Sequence, residues 1–292
     1  MADLYGMTGK IARVDLTSGT VSVVEPGEEI YRKFLGGSAL GAYYLMKEGI
    51  LDPGVDPLGP DNLWQLMIGP VTGAGANPRS VITCKSPYNN FCATTCGGHA
   101  GAELKFAGWD GIQVTGKASS PVYISIVDDN IEIRDASHLW GMEVEEAEII
   151  MKKEVMADIE FREAMIRDAD LTPEWAEMRP PKRLGMHEKR LAHVWLIGVG
   201  GENQVWYAAT MTEGARAHGR HGSGAVAGSK NLKGIVVRGT KGHVLADKKQ
   251  YLGLIKNVQA SQRGNYFWRS YGTAGIGARS AYVEDAFPIR NW

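Results

Sequence analysis

Gly97-Gly98-His99-Ala100-Gly101-Ala102-Glu103-Leu104-Lys105-Phe106-Ala107-Gly108-Trp109-Asp110-Gly111 is the stretch on which the fold turns. Two glycines lead into a short run of helix formers that carries Glu103 and Lys105. Gly108 stands where a left-handed residue ends a helix, and residues 111–115 then follow as a strand. A helix delivered from glycines into a strand is a unit of mixed architecture.

On the N-terminal side, residues 10–16 alternate, Thr17-Ser18-Gly19 turns, and residues 20–24 return, which predicts a hairpin. Residues 28–35 are amphipathic, and a helix is expected over residues 39–48 after Gly36-Gly37. Residues 63–68 and 80–83 read as short strands around a glycine-rich loop. On the C-terminal side, strands are expected over 122–127 and 130–134, joined at Asp128-Asp129, and a helix over 144–155. Strands resume at 194–197 and 204–210, and a last one lies at 234–238 beyond a second glycine-rich loop. After Ala246 the pattern turns helical. The order predicts an α+β fold. A β-sheet-rich N-terminal domain with flanking helices is expected over residues 1–240, followed by the helical start of a second domain over 241–292. Residues 156–193 are charged, carry Pro173, Pro180 and Pro181, and lack strand patterning; a surface insertion, part helical, is expected there.

Composition narrows the function classes. The 292 residues are 44% hydrophobic with a formal net charge of -1, so no basic excess exists to neutralise the phosphates of a nucleic acid. No apolar run approaches the ~20 residues of a membrane span. The first residues alternate like a strand instead of forming a signal-peptide core. Cys84, Cys92 and Cys96 are too few for a disulfide framework; Cys84 falls on an expected strand, Cys92 and Cys96 at i, i+4 on an expected loop, and all three read as small buried thiols. A cytoplasmic protein is expected. Glycine, at 37 residues, is well above the usual ~7%. Because the glycines sit among β-branched and aromatic residues, they point to backbone held close to something.

Two loops concentrate them. The first is Gly69-Pro70-Val71-Thr72-Gly73-Ala74-Gly75-Ala76-Asn77-Pro78-Arg79, and the second runs from Arg216 through Gly219-Arg220-His221-Gly222-Ser223-Gly224 to Lys230. Unpaired backbone N–H groups beside an arginine suit an anion, which a guanidinium can grip bidentately. Neither loop fits the Walker pattern or the dinucleotide fingerprint, and tight turns in a crowded β fold explain them equally well. His218 and His221 read either as proton or hydrogen-bond donors or as satisfied structural histidines.

The order of the short motifs is more specific than any one of them. Tyr5-Gly6 with Gly9-Lys10, Leu35-Gly36-Gly37, Asp56-Pro57-Leu58, Gly69-Pro70 with Thr72-Gly73, and Lys85-Ser86-Pro87 come first. Gly97-Gly98, residues 101–108, Arg134-Asp135-Ala136-Ser137-His138, Gly201-Glu202-Asn203, Gly224-Ala225-Val226 and Gly228-Ser229-Lys230-Asn231-Leu232-Lys233 complete the set. In this order, over nearly the whole chain outside residues 156–193, the sequence resembles the aldehyde ferredoxin oxidoreductase family, including its tungsten-dependent benzoyl-coenzyme A reductase relatives.

The resemblance implies a β-sheet base cradling two pyranopterin dithiolenes that hold one tungsten or molybdenum, their phosphates bridged by Mg2+. By motif, Arg79 matches the arginine between pterin and iron–sulfur cluster. Thr95 and Ala217 match positions whose backbone carbonyls bind the magnesium. Thr95 replaces an asparagine of the family, and one residue is missing between Pro87 and Gly97. Arg216 matches an arginine beside the second loop, and Gly97, Gly98, Gly219, Arg220, Gly222 and Gly224 complete the implied cofactor-binding set. The chain departs from the pattern at Ser38-Ala39, where many relatives carry an arginine, and at His221, which interrupts the usual Gly-Arg-Gly-Gly.

The family's four cluster cysteines and most of its substrate pocket lie beyond the point matching Pro288-Ile289-Arg290-Asn291-Trp292. The 4Fe-4S cluster is therefore expected on a further part or partner chain, not on this one. The implied whole is an oxidoreductase taking small aldehyde or acyl substrates and passing electrons to ferredoxin or an iron–sulfur electron-transfer subunit. This chain would be its cofactor-binding subunit or a fragment of it, inactive when isolated. A benzoyl-coenzyme A reductase-type enzyme and a non-catalytic pterin-binding scaffold are the alternatives.

Overall fold

Trp64-Gln65-Leu66-Met67-Ile68 is buried at every position, because both faces of its strand are covered. Trp64, Leu66 and Ile68 join one apolar core and Met67 another, while Gln65 on the second face donates its amide to the Gly41 carbonyl. The same period of two organises the molecule. In a computed structural model, residues 4–75, 78–157, 192–214, 216–264 and 270–275 are described. They divide into Met1–Val244 and Leu245–Trp292.

The first unit holds two mixed six-stranded sheets. One runs β2-β1-β6-β3-β4-β5, from β1 Ile11–Asp15, β2 Thr20–Val24, β3 Trp64–Ile68, β4 Ser80–Ser86, β5 Asn90–Cys96 and β6 Gly111–Thr115. The other runs β11-β10-β9-β12-β7-β8, from β7 Val122–Val127, β8 Asn130–Asp135, β9 His193–Leu196, β10 Thr210–Thr212, β11 Arg216–His218 and β12 Leu232–Arg238. Each sheet contains one parallel pair, β1 with β6 and β7 with β12, among antiparallel neighbours. Inward side chains of both sheets, including Trp64, Ile82, Ile112, Ile124, Trp195 and Ile235, share one core. Helices α1 (Glu28–Phe34) and α2 (Gly37–Lys47) cover the outer face of the first sheet with Tyr31, Leu40, Tyr44 and Leu45. After α3 (Ala100–Ala107), α4 (Val144–Ala157) covers the second sheet with Ala147, Met151 and Val155. Two short helices follow, α5 (Val199–Glu202) and α6 (Ser223–Ser229). Burying a side chain such as Trp64 or Trp195 is worth ~1.5–3 kcal/mol, so this shared core sets the spacing of the two sheets.

The fold is α+β, the class that the sequence predicts. Three local expectations change. Of the strand expected over 204–210, only Thr210 is extended, opening β10: Gln204 takes φ +54, and the N–H groups of Val205 and Ala208 close turns onto Gly200 and Val205. Cys92 and Cys96 lie on β5 instead of a loop, with side chains buried on one face of that strand. The second glycine-rich segment contains β11 and α6, so it is a strand–turn–helix. The expected insertion at 156–193 falls largely outside the described residues. In the second unit, α7 (Lys248–Arg263) is capped by Asp247, whose side chain accepts the Gln250 N–H. No helix among the described residues is long and apolar enough to cross a membrane.

Many of the short motifs prove to be tie points of the framework. Lys105 and Asp110 form a buried ion pair at 2.5 Å, and Asp110 also accepts the Thr8 and Gly9 N–H groups and the Tyr31 hydroxyl. Lys105 donates to the Gly6 carbonyl as well. Removing one partner of such a pair costs about 3–5 kcal/mol, because the other charge is left buried. Glu103 accepts the Gly239 N–H, Lys230 donates to the Pro60 and Gly116 carbonyls, and Lys233 pairs with Glu202.

Candidate functional site

The two sheets meet edge to edge at β5 and β11, and a histidine makes the join. His218 is fully buried; its Nδ1 donates to the Thr94 carbonyl at 2.8 Å and its Nε2 lies 3.3 Å from the Ser80 hydroxyl. Desolvation pushes the imidazole down to about 4, against the opposing pull of the Thr94 carbonyl, so it is neutral at neutral pH. His218 is thus a satisfied structural histidine. Its position fixes β11 against β4 and β5.

That join assembles residues far apart in sequence. Arg79 directly precedes β4, whose Ser80 pairs with Cys96 on β5. Arg216 opens β11 with a side chain 57% exposed, and a Cβ placed on Gly97 would lie 3.4 Å from its Nη1. Burial raises the Cys96 thiol above its ordinary range, while Arg216 and Arg79 pull it the other way, so both guanidinium groups lie within electrostatic reach of one sulfur. Thr95 and Ala217, both exposed, sit on these same two edge strands. Gly219 and Arg220 are exposed on the turn that follows.

Gly98 of the set is buried, and so are Gly222 and Gly224, which the chain's own backbone hems in. At Gly222 a Cβ would collide with the Trp206 carbonyl and reach 2.8 Å from Pro87; at Gly224 it would collide with the Ala209 carbonyl. The Gly224 N–H already donates to the Ala208 carbonyl. Their lack of a side chain therefore serves the chain's own packing at the start of α6. His221 sits at φ +69, with Nδ1 2.7 Å from the Asn89 side-chain nitrogen, its N–H on the Tyr88 hydroxyl and its ring stacked on Tyr88. The β4–β5 turn thereby holds the second glycine segment in place.

The charged donors placed at this edge include the guanidinium groups of Arg79 and Arg216. They suit an anionic, phosphate-bearing group better than a bare metal ion, and no cluster of metal-ligating side chains occurs among the described residues. Glu213, His193 and His99, which sequence reasoning passes over, surround the same place: the Glu213 carboxylate lies 3.4 Å from Arg216 Nε and 3.4 Å from His193 Nδ1. Only the turn-forming Glu213-Gly214 pair hints at them, since His99 and Glu213 are 114 residues apart.

The family described as aldehyde ferredoxin oxidoreductase, N-terminal domain, matches this chain over residues 11–169 and 154–239. The chain belongs to that family. The tungsten-containing aldehyde ferredoxin oxidoreductase of Thermococcus kodakarensis is 42% identical over 256 residues, 87% of this chain and 37% of the relative. The Pyrococcus furiosus enzyme of the same name is 42% identical over 296 residues, 99% of this chain and 43% of the relative. An aliphatic sulfonate oxidoreductase, WOR-like subunit, from the same organism is 37% identical over 99% of this chain and 44% of its own length. Among solved structures, a chain of the active-site complex BamBC of benzoyl-coenzyme A reductase, with 1,5-dienoyl-coenzyme A, matches with a TM-score of 0.74 and 33% identity. That match covers 90% of this chain and 36% of the other. The chain spans less than half the length of these relatives.

Proposed function

We propose that this chain is the cofactor-cradling part of a tungsten–pterin oxidoreductase that converts aldehydes to carboxylates. The observation that carries the reading is the placement of Arg79, next to the Ser80–Cys96 pair, and Arg216, against Gly97, at the β5–β11 edge of a chain 42% identical to tungsten-containing aldehyde ferredoxin oxidoreductases. The bound group would supply the electron-pair and oxygen-transfer chemistry. The chain's own residues bind and orient it. Arg79 and Arg216 would neutralise its phosphates, Gly97, Gly98, Gly219 and Arg220 would bring backbone close, and the Thr95 and Ala217 carbonyls would hold Mg2+. Molybdenum in place of tungsten has no support from the relatives' names. Electrons would pass to ferredoxin or an iron–sulfur subunit through a 4Fe-4S cluster held by a partner chain or a further part of the same one. The protein works in the cytoplasm.

An aromatic-ring reductase of the benzoyl-coenzyme A type is the second reading, favoured by the 0.74 TM-score match. Assay of the protein in its native assembly separates the two. Aldehyde-dependent reduction of a low-potential viologen dye, without turnover of aryl-coenzyme A thioesters, is the expected result. Reduced-dye oxidation driven by an aryl thioester, with no aldehyde activity, would overturn the first reading in favour of the second.

A further inference from the structure

The hairpin turn between β10 and β11 carries two successive left-handed residues. Glu213 takes φ +50, in the left-handed region that side-chain-bearing residues adopt rarely. Gly214 follows at φ +65, and its N–H is held at 2.7 Å by Glu148 of α4, itself paired with Lys152 at 2.6 Å. The turn carries the Glu213 side chain, 15% exposed, between the two halves of the candidate site.

Four groups meet that carboxylate. It accepts the His99 N–H, it lies 3.4 Å from Arg216 Nε and 3.4 Å from the buried His193 Nδ1, and it packs on Gly98, where a Cβ would come within 2.8 Å of Oε2. Gly98 has φ +106, so that site is closed to a side chain on both counts. Burial works against ionisation of Glu213, yet His193 and the His99 N–H outweigh it and hold the carboxyl down at about 2. The group is an anion throughout the physiological range.

A guanidinium has five N–H groups in a fixed plane. Glu213 faces the Nε edge of Arg216, so the ion pair sets the direction of the two terminal NH2 groups. We infer that Glu213 is a positioning residue for the cofactor: it ties the Gly97-Gly98-His99 turn to β11 and orients Arg216 toward the anionic group. This rests on the reading of Arg216 as a cofactor-binding arginine, and it adds a residue to that site.

The test compares Glu213→Gln, Arg216→Gln and the double variant in the native assembly, following the rate at which tungsten and pterin are lost during dialysis. Gln keeps an acceptor for the His99 N–H but removes the charge that faces Arg216. The loss rate should rise on the order of 10-fold in Glu213→Gln, as when a supporting partner of a ligand is removed, and the double variant should lose cofactor no faster than Arg216→Gln. Multiplicative effects in the double variant would overturn the inference, because a merely structural carboxylate acts independently of Arg216. A wild-type loss rate in Glu213→Gln with a raised rate in Arg216→Gln would also overturn it while leaving the proposed function standing. A wild-type rate in Arg216→Gln would remove the basis for both. Should Glu213→Gln fail to fold, Glu213→Asp replaces it, with a smaller rise and the same non-additivity expected.

Discussion

His218 shows how one buried side chain can bring two sheet edges together. Its two ring nitrogens face Thr94 on β5 and Ser80 on β4, so it is consumed in joining the sheets. Its burial carries a pH consequence. The imidazole is held at about 4 in the folded chain, against ~6.5 when unfolded, so the unfolded state binds the extra proton first. The contribution is fully present above pH ~6.5 and is lost as pH falls towards about 4, amounting to roughly 3 kcal/mol. The unfolding free energy of the protein should fall through that window, and His218→Gln should lack this component. An identical slope in the variant would show that His218 is not the titrating group. The sequence leaves this histidine open between proton donor and structural roles, because the choice depends on a carbonyl 124 residues away. Arg79 and Arg216 are legible by motif, whereas Glu213 is not, since its partners are joined only by the fold.

At the scale of elements, legibility follows periodicity. The β1–β2 hairpin and α4 are readable because alternation and helical spacing run unbroken between clear stops. Edge strands β5 and β11 are not. Asn90-Phe91-Cys92-Ala93-Thr94-Thr95-Cys96 alternates only if cysteine and threonine count as inward residues, and Arg216-Ala217-His218 is too short to show a period. Those two strands build the candidate site, so on the proposed reading the residues nearest the cofactor lie where the sequence pattern is weakest. Helix α6 hides among glycines for a related reason: Gly224 and Gly228 exist to let α6 lie on Ala209 and Gly201. Gly224→Val should therefore destabilise the cofactor-free protein by at least about 1–3 kcal/mol, besides impairing cofactor loading. Chemical denaturation of the cofactor-free variant decides this; wild-type stability would mean that the Ala208–Ala209 backbone moves aside freely and that the glycine serves the ligand alone.

For the whole molecule, two sheets with a shared core leave their edges to meet at one place, and the arginine-bearing ends of both sheets are delivered there. The buried tie points, Lys105 with Asp110 and Lys233 with Glu202, hold the frame away from that edge. Most of the short motifs thus map to the frame, and a smaller set to the candidate site. The central claim is that the β5–β11 edge retains a tungsten–pterin group through two guanidinium groups. Its most direct test is tungsten and pterin analysis of the native assembly, wild type against an Arg79→Gln/Arg216→Gln double variant. The account predicts tungsten and pterin in the wild type and loss of most of both in the variant, with the fold retained by circular dichroism. A wild-type preparation free of tungsten and pterin, or a double variant that keeps its full complement, would contradict it.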